Sequence, residues 1–403
     1  MKTLELLSLS VITATLIVST GCSSDDDGDG SGASAPSEIT KGVELNTSVT
    51  NNAMALLGSA MNELPDLAPA RMASRLAALQ VTRSSNSDNS TRTYQCDISG
   101  SYTNTSYTKT TGDRDDKPKE SWSYEHHWSV TYDDCVDNYS GVNYVGDTLD
   151  QSIRDGVLDG SEYSEYNSDT NRSKDNYSSN RSYSIIYRSS STEATITNVY
   201  DDNMSWQAEA EGTDLYGDNV DFTGHFTLNG TKEMYHTNTS GDKVAGIGTR
   251  EVSGGFSISS ERVYTPAKAT STLAMNGFTT QYETNSTGEH VIEGEYYDNY
   301  KVTAVKVGDE QTTTMSGTLG STCLGGSVTV SVDPIIKEND VTYHDQLPYD
   351  GKATLKGSNT STVTFSVRSD DNTKTQATVQ VDDGPLTQFN DWNTLATGKC
   401  QDD

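Results

Sequence analysis

Hydrophobic positions fall into three regimes along the chain. The first is an apolar run from Leu4 to Val18, interrupted by Ser and Thr, that gives way to Ser19, Thr20, Gly21 and Cys22. It is too short and too broken to read as a membrane span, and it has the form of an export signal. In the second regime Val49, Ala53, Leu56, Leu57, Ala60, Met61 and Leu64 recur at helical spacing, with Thr47 placed to cap the start. Pro65 ends that helix by restricting Leu64, and a second helix follows from an Asp66 cap with Met72, Leu76 and Leu79 on one face. The pattern predicts a short helical element, a hairpin over residues 47–82.

From Tyr94 the period changes to two. Thr, Val, Tyr and Ile alternate with Ser, Asn and Asp between Gly and Asp-Asn turn signals, which predicts antiparallel strands joined by hairpins. The clearest strand carries Trp122, Tyr124, His126, Trp128, Val130 and Tyr132 on one face, and Ser121, Ser123, Glu125, His127, Ser129 and Thr131 on the other. Its expected partner is 94–108. Matching Ile98 with Tyr132 and Tyr102 with Trp128 disagrees by one residue with Cys96 opposite Cys135, which predicts a β-bulge near Asp133-Asp134.

Further on, Gly preceded by an apolar residue and followed by alternation recurs at Gly224, Gly254, Gly294 and Gly317, at intervals too uneven for a solenoid. The fold class expected is mainly β: a large antiparallel meander, as a sandwich, a barrel-like form or an open curved sheet, with the helical element before it. The organisation expected is a signal peptide (1–21), an acidic flexible tether (22–46), the helical hairpin (47–82), a β body (94–319) and a C-terminal β subdomain (320–403).

Composition narrows the function classes. A formal net charge of −30 opposes binding to nucleic acid or to anionic headgroups. Hydrophobic residues make up only 32%, so the core is modest, with the 22 Tyr as amphipathic filling.

The segment Val18-Ser19-Thr20-Gly21-Cys22 after Lys2 and the apolar run resembles the lipobox of bacterial lipoproteins. That resemblance implies cleavage before Cys22, lipidation of its thiol and a membrane anchor. Ser23 in place of Asp implies the outer membrane, with the side left open, and Ser19 stands where Leu is commonest in the motif. The stretch Ser23-Ser24-Asp25-Asp26-Asp27-Gly28 then reads as the tether. The C-terminal run Cys323-Leu324-Gly325-Gly326, with Asp382-Asp383-Gly384 and Trp392, resembles the ends of proteobacterial exported lipoproteins, and implies no activity.

Beyond Cys22 there are four cysteines, Cys96, Cys135, Cys323 and Cys400. An even number in an oxidising compartment points to disulfides, and of the three pairings sequence proximity favours Cys96 with Cys135 and Cys323 with Cys400.

Chemistry-bearing patterns are sparse. His126 and His127 point to opposite faces of one strand and cannot share an ion. Glu209 with Glu211, and Glu293 with Glu295, have a spacing a glycosidase could use, but in a chain with 58 acids they read better as solvated faces. No nucleophile elbow, Walker loop, dinucleotide fingerprint or haem motif is present. No cofactor is expected beyond calcium, for which Asp201, Asp202, Asp370, Asp371, Asp382 and Asp383 offer carboxylates at expected turns.

Tyr mixed with Ser, Asn, Asp and Gly suits an adaptable recognition surface, and Trp122, Tyr124, Trp128, Tyr163 and Tyr166 are the ligand-binding candidates. The expected function is non-catalytic binding, or a structural role, at the cell envelope, with a glycan or protein ligand. A lipid-carrying or envelope-assembly role and a glycan-active hydrolase are the alternatives.

Overall fold

The computed structural model describes residues 34–63, 86–112, 121–212, 220–265, 268–285, 288–308, 310–338, 348–367 and 375–389. Among the described residues the period-two alternation becomes one antiparallel sheet of sixteen strands whose spatial order is their sequence order. The strands are β1 (Asn86–Gln95), β2 (Ser99–Thr111), β3 (Trp122–Val142), β4 (Thr148–Asn167), β5 (Arg172–Arg188), β6 (Thr195–Glu211), β7 (Asp221–Thr237) and β8 (Lys243–Thr265). They continue as β9 (Lys268–Asn285), β10 (Gly288–Val307), β11 (Glu310–Ser321), β12 (Gly326–Glu338), β13 (Pro348–Lys356), β14 (Thr360–Val367), β15 (Thr375–Val381) and β16 (Thr387–Phe389). Among the described residues β1 and β16 are not paired with each other, so of the three forms expected the open sheet is the one found. The stretch 155–182, rich in Ser, Asn and Asp, lies in β4 and β5, which pair without a register shift.

The β2–β3 ladder sets Tyr102 against Tyr132 and Ser106 against Trp128, four residues away from the expected match. Cys96 and Ile98 explain the error: they sit in the turn between β1 and β2 rather than on a strand, and β1 begins at Asn86, ahead of the strand pattern expected from Tyr94. The bulge is where it was expected. The register shifts between Ser99 and Ser101, and Asp134 on the bulged strand takes a positive φ of 44°. The Cys96–Cys135 disulfide closes there, with Cα atoms 5.5 Å apart.

Among the described residues two helices precede the sheet, α1 (Ser37–Thr40) and α2 (Thr47–Glu63). The cap of α2 is Asn46 rather than Thr47: its Oδ1 accepts from Val49 N at 3.0 Å and its carbonyl from Thr50 N at 2.9 Å. Thr50, Ala53, Met54 and Leu57 are buried, at the spacing of one helix face. The second helix, expected after Asp66, lies outside the described residues, as do the signal segment, Cys22, the acidic run, Trp392 and Cys400.

Residues 35–46, expected as linker, are seated on the sheet. Ile39 is fully buried against Val252 and Phe278 on one face. The chain then rounds the β11–β12 and β13–β14 hairpins, where Val43 N donates to Ser327 O at 3.0 Å and Ser358 N to Val43 O at 2.8 Å. Asn359 pins the crossing, with Oδ1 accepting from Leu45 N at 2.6 Å and Nδ2 donating to Leu45 O at 2.9 Å. Glycine is required at two sites beneath: a Cβ on Gly320 would overlap the Ile39 carbonyl, and one on Gly357 the Val43 carbonyl.

On the far face α2 closes the main core, with Leu45, Met54 and Leu57 against Val302, Met315, Val330, Val332, Ala353, Leu355, Val363 and Val379. Burying Met54 and Leu57 stabilises by about 1.5–3 kcal/mol each. The division expected at residue 320 falls at the β11–β12 hairpin, across which pairing continues from Leu319 with Val328 to Ser321 with Gly326. Cys323, in that hairpin, is disulfide-bonded.

Candidate functional site

One register row crosses most of the sheet and shows which side chains share a face. Asp88, Thr108, His126, Glu162, Tyr177, Trp206, Phe226, Ile258, Met275 and Tyr300 stand side by side on β1 to β10. Met275 and Tyr300 belong to the core under α2, so the helix and the rings of β3–β7 occupy the same side of the sheet. This aromatic face carries Trp122, Tyr124, Trp128 and Tyr132 on β3, Tyr166 on β4, and Trp206 and Phe222 on β6 and β7. The opposite face of β3–β6 carries Glu125, His127, Tyr163, Glu165 and Glu209, so the two adjacent histidines do diverge as expected.

Two arrangements of rings are built on this face, and they differ in what they leave open. In the first, Tyr94, Tyr102, Tyr132, Tyr183 and Tyr200 form a stack across β1 to β6, with centroids 4.9, 5.7, 6.4 and 4.8 Å apart. The 6.4 Å step spans β4 because Gly156 lies between Tyr132 and Tyr183, and its φ of 107° is one an L side chain rarely adopts. Arg181 closes the end, 4.9 Å from the Tyr200 centroid, while its Nε and Nη2 donate to Asp202 at 2.6 and 2.5 Å. Burial pushes the Tyr183 phenol above its ordinary value. The ring faces are spent on one another, at about 0.5–1.5 kcal/mol per pair, so this row is a spine for the sheet.

The second arrangement is Trp128. Its indole lies over Gly160 on β4, where a Cβ would overlap the ring. The residues beside it in its row are small, Ser106 and Gly160, with Ser179 beyond, so the half-buried indole lies in a shallow lane. Polar groups line one side of the lane: His126, whose Nε2 is 3.2 Å from Ser106 Oγ, Glu162 and Tyr177; the row on the other side is Asn104, Val130, Leu158 and Arg181, apolar at its centre and polar at its ends. A flat apolar ring with donors and acceptors along one side can stack on the C–H face of a ring and hydrogen-bond its edge.

Of the five ligand-binding candidates, Trp122, Tyr124, Trp128 and Tyr166 share the aromatic face, with Trp122 directly opposite Tyr166. Tyr163 faces the other way and donates to Glu165 at 2.5 Å, which raises its phenol to about 12. The sequence signal for the Trp128 lane was Gly156 and Gly160, four apart inside one strand, each opposite an aromatic residue.

The turn placement expected for two of the calcium candidates is corrected. Asp201 and Asp202 are not at a turn: they lie in the middle of β6, on opposite faces, and Asp202 is held by Arg181. Asp382 serves the β15–β16 turn, accepting from Thr360 N at 2.9 Å, and Asp383 beside it is exposed. Asp370 and Asp371 lie outside the described residues. Among the described residues the cluster with metal-ligand spacing is Cys96, Cys135 and Asp137, and its thiols are joined in the disulfide.

The two carboxylate pairs lie on opposite faces of the sheet, Glu209 and Glu211 on the polar one and Glu293 and Glu295 on the side of α2. Glu209 lies on the polar face in an ion pair with Arg172, and Glu293 and Glu295 stand beside Gln281 and Thr279 on β9. His225 pairs with Ser259, on the same polar face as Glu209, while His290 is 3.6 Å from Glu283.

Fold and site together define an open, all-antiparallel β-sheet protein with one aromatic face. No family model, curated protein or solved structure matches the chain.

Proposed function

We propose that the protein is a non-catalytic binding protein of the bacterial outer membrane, anchored through lipidated Cys22, and that the aromatic face binds a glycan at Trp128. The supporting observation is the Trp128 indole laid over Gly160 with His126, Glu162 and Tyr177 along one side. Sugars offer one apolar face and a rim of hydroxyls, which is the complement of that lane. A net charge of −30 favours a neutral or basic glycan over nucleic acid, whose bases stack equally well but whose phosphates are repelled.

The test is a glycan array followed by titration calorimetry on the full chain in mild detergent. Binding that falls at least about tenfold in Trp128→Ala, with the circular dichroism of the folded sheet kept, supports the reading. Equal binding by W128A, or none by the unaltered chain, removes it.

The lipid-carrying alternative has one observation in its favour. Phe226 and Phe256, with ring centroids 5.4 Å apart, carry the aromatic face toward the α2 core through Ile258. Displacement of a fluorescent fatty acid, insensitive to W128A, would favour it over the glycan.

A further inference from the structure

Among the described residues the outer edge of β1 is the long exposed edge of this sheet, and β16 is the other edge. β1 runs ten residues, pairs with β2 without a register shift, and contains neither Pro nor Lys, whereas β16 has three residues. Short edges, bulges, Pro and charged side chains are the usual means of preventing edge-to-edge pairing; β1 has only the last, Asp88 and Arg92, which are of opposite sign and so complementary to a second copy.

Its hydrogen-bonding phase follows from its inner partner. Cys96 N donates to Gly100 O at 3.2 Å, and the same register continues through Tyr94 with Tyr102 to Asp88 with Thr108. The even-numbered residues therefore spend their backbone groups on β2, and Asn89, Thr91 and Thr93 direct theirs outward. On the aromatic face the exposed side chains Asp88 and Arg92 bracket Ser90, and among the described residues neither charge has an ionic partner.

We infer that two copies of this chain pair antiparallel through β1, with Ser90 opposite Ser90 on the two-fold axis. In that register Asp88 of each copy faces Arg92 of the other, and Asn89 and Thr91 exchange backbone hydrogen bonds. The two charged pairs fall at the non-hydrogen-bonded positions, where side chains approach most closely. Any other register with the same hydrogen-bonding phase leaves the charges unpaired or sets like against like. The interface is isologous, and it places both aromatic faces on one side of a continuous sheet. Two Trp128 lanes would then meet a polymeric ligand together, which raises its avidity without a new contact.

The test is Ser90→Cys in the full chain in mild detergent, read on non-reducing gels with the unaltered chain beside it. A Ser90–Ser90 pair on the axis has the Cα separation a disulfide needs. Efficient dimer is expected from S90C. Adding D88R or R92D should lower the yield about tenfold, and adding both should restore it to within about twofold, because only the pair of reversals regains opposite charges. Sedimentation of the unaltered chain gives the second measurement: a dimer, converted to monomer by Thr91→Pro, which removes an outward N–H. A monomer in sedimentation with no S90C crosslink overturns the inference, and so does crosslinking indifferent to the single reversals.

Discussion

Thr50 on α2 and Ser361 on β14, 311 positions apart, share a hydrogen bond of 3.0 Å between fully buried hydroxyls. It is a polar pin beside the apolar contact made by Ala53, Met54 and Leu57. Thr50→Val keeps the shape and strands the Ser361 hydroxyl, at a cost of about 1–3 kcal/mol. The double variant with Ser361→Ala should recover much of that loss. Urea unfolding midpoints of the three variants check it.

Gly357→Ala places a methyl group where the Val43 carbonyl lies against the β13–β14 hairpin. The segment 35–46 must lift, and overpacking of this kind costs about 1–3 kcal/mol. Limited proteolysis should then cut within 35–46 while the strands remain protected.

Removing the Cys96–Cys135 disulfide with the double Ala variant should destabilise the chain by about 3–4 kcal/mol in the loop-entropy account, for a sequence separation of 39. Differential scanning calorimetry with and without reductant measures the loss.

His236 gives the fold a dependence on mild acid. Burial holds its imidazole below the ordinary value of 6.5, and Nδ1 accepts from Tyr144 N at 3.3 Å. The unfolded chain binds that proton more tightly than the folded one. The contribution is therefore present above about 6.5 and declines as pH falls below it. The β3–β4 loop, which also reaches β7 through Asn143 Nδ2 donating to Thr237 O at 3.1 Å, should loosen first. Amide exchange at Tyr144 should accelerate between pH 7.5 and 5.5, and His236→Gln should abolish the change.

Much of this architecture was legible because period two survives in nearly every strand. The bulge at Asp134, the divergence of His126 and His127, and the first helix could all be read from spacing. The register could not, because assigning Cys96 and Ile98 to a strand rather than a turn moves every pairing after it. Local preference also misplaced Asp201-Asp202-Asn203. Asp and Asn favour turns, but Arg181 across the strand pair holds Asp202 in mid-ladder, and that partner lies 21 residues away.

The Trp128 lane was half visible. Trp122, Tyr124 and Trp128 announced an aromatic strand, whereas the room for an indole depends on Gly160 in the next strand, and Tyr163 went to the wrong face because β4 alternates ring and acid on both sides. The seating of 35–46 left no periodic trace: single residues such as Ile39 and Leu45 anchor it against strands more than two hundred positions later.

A sheet whose neighbours in space are neighbours in sequence can be zipped hairpin by hairpin as the polypeptide emerges. The crossing segment breaks that order. Residues 39–57 are made before any strand, yet their seats on β8–β15 are finished among the last. That stretch must therefore wait for most of the strands to be made, and its docking is the step that marks completion.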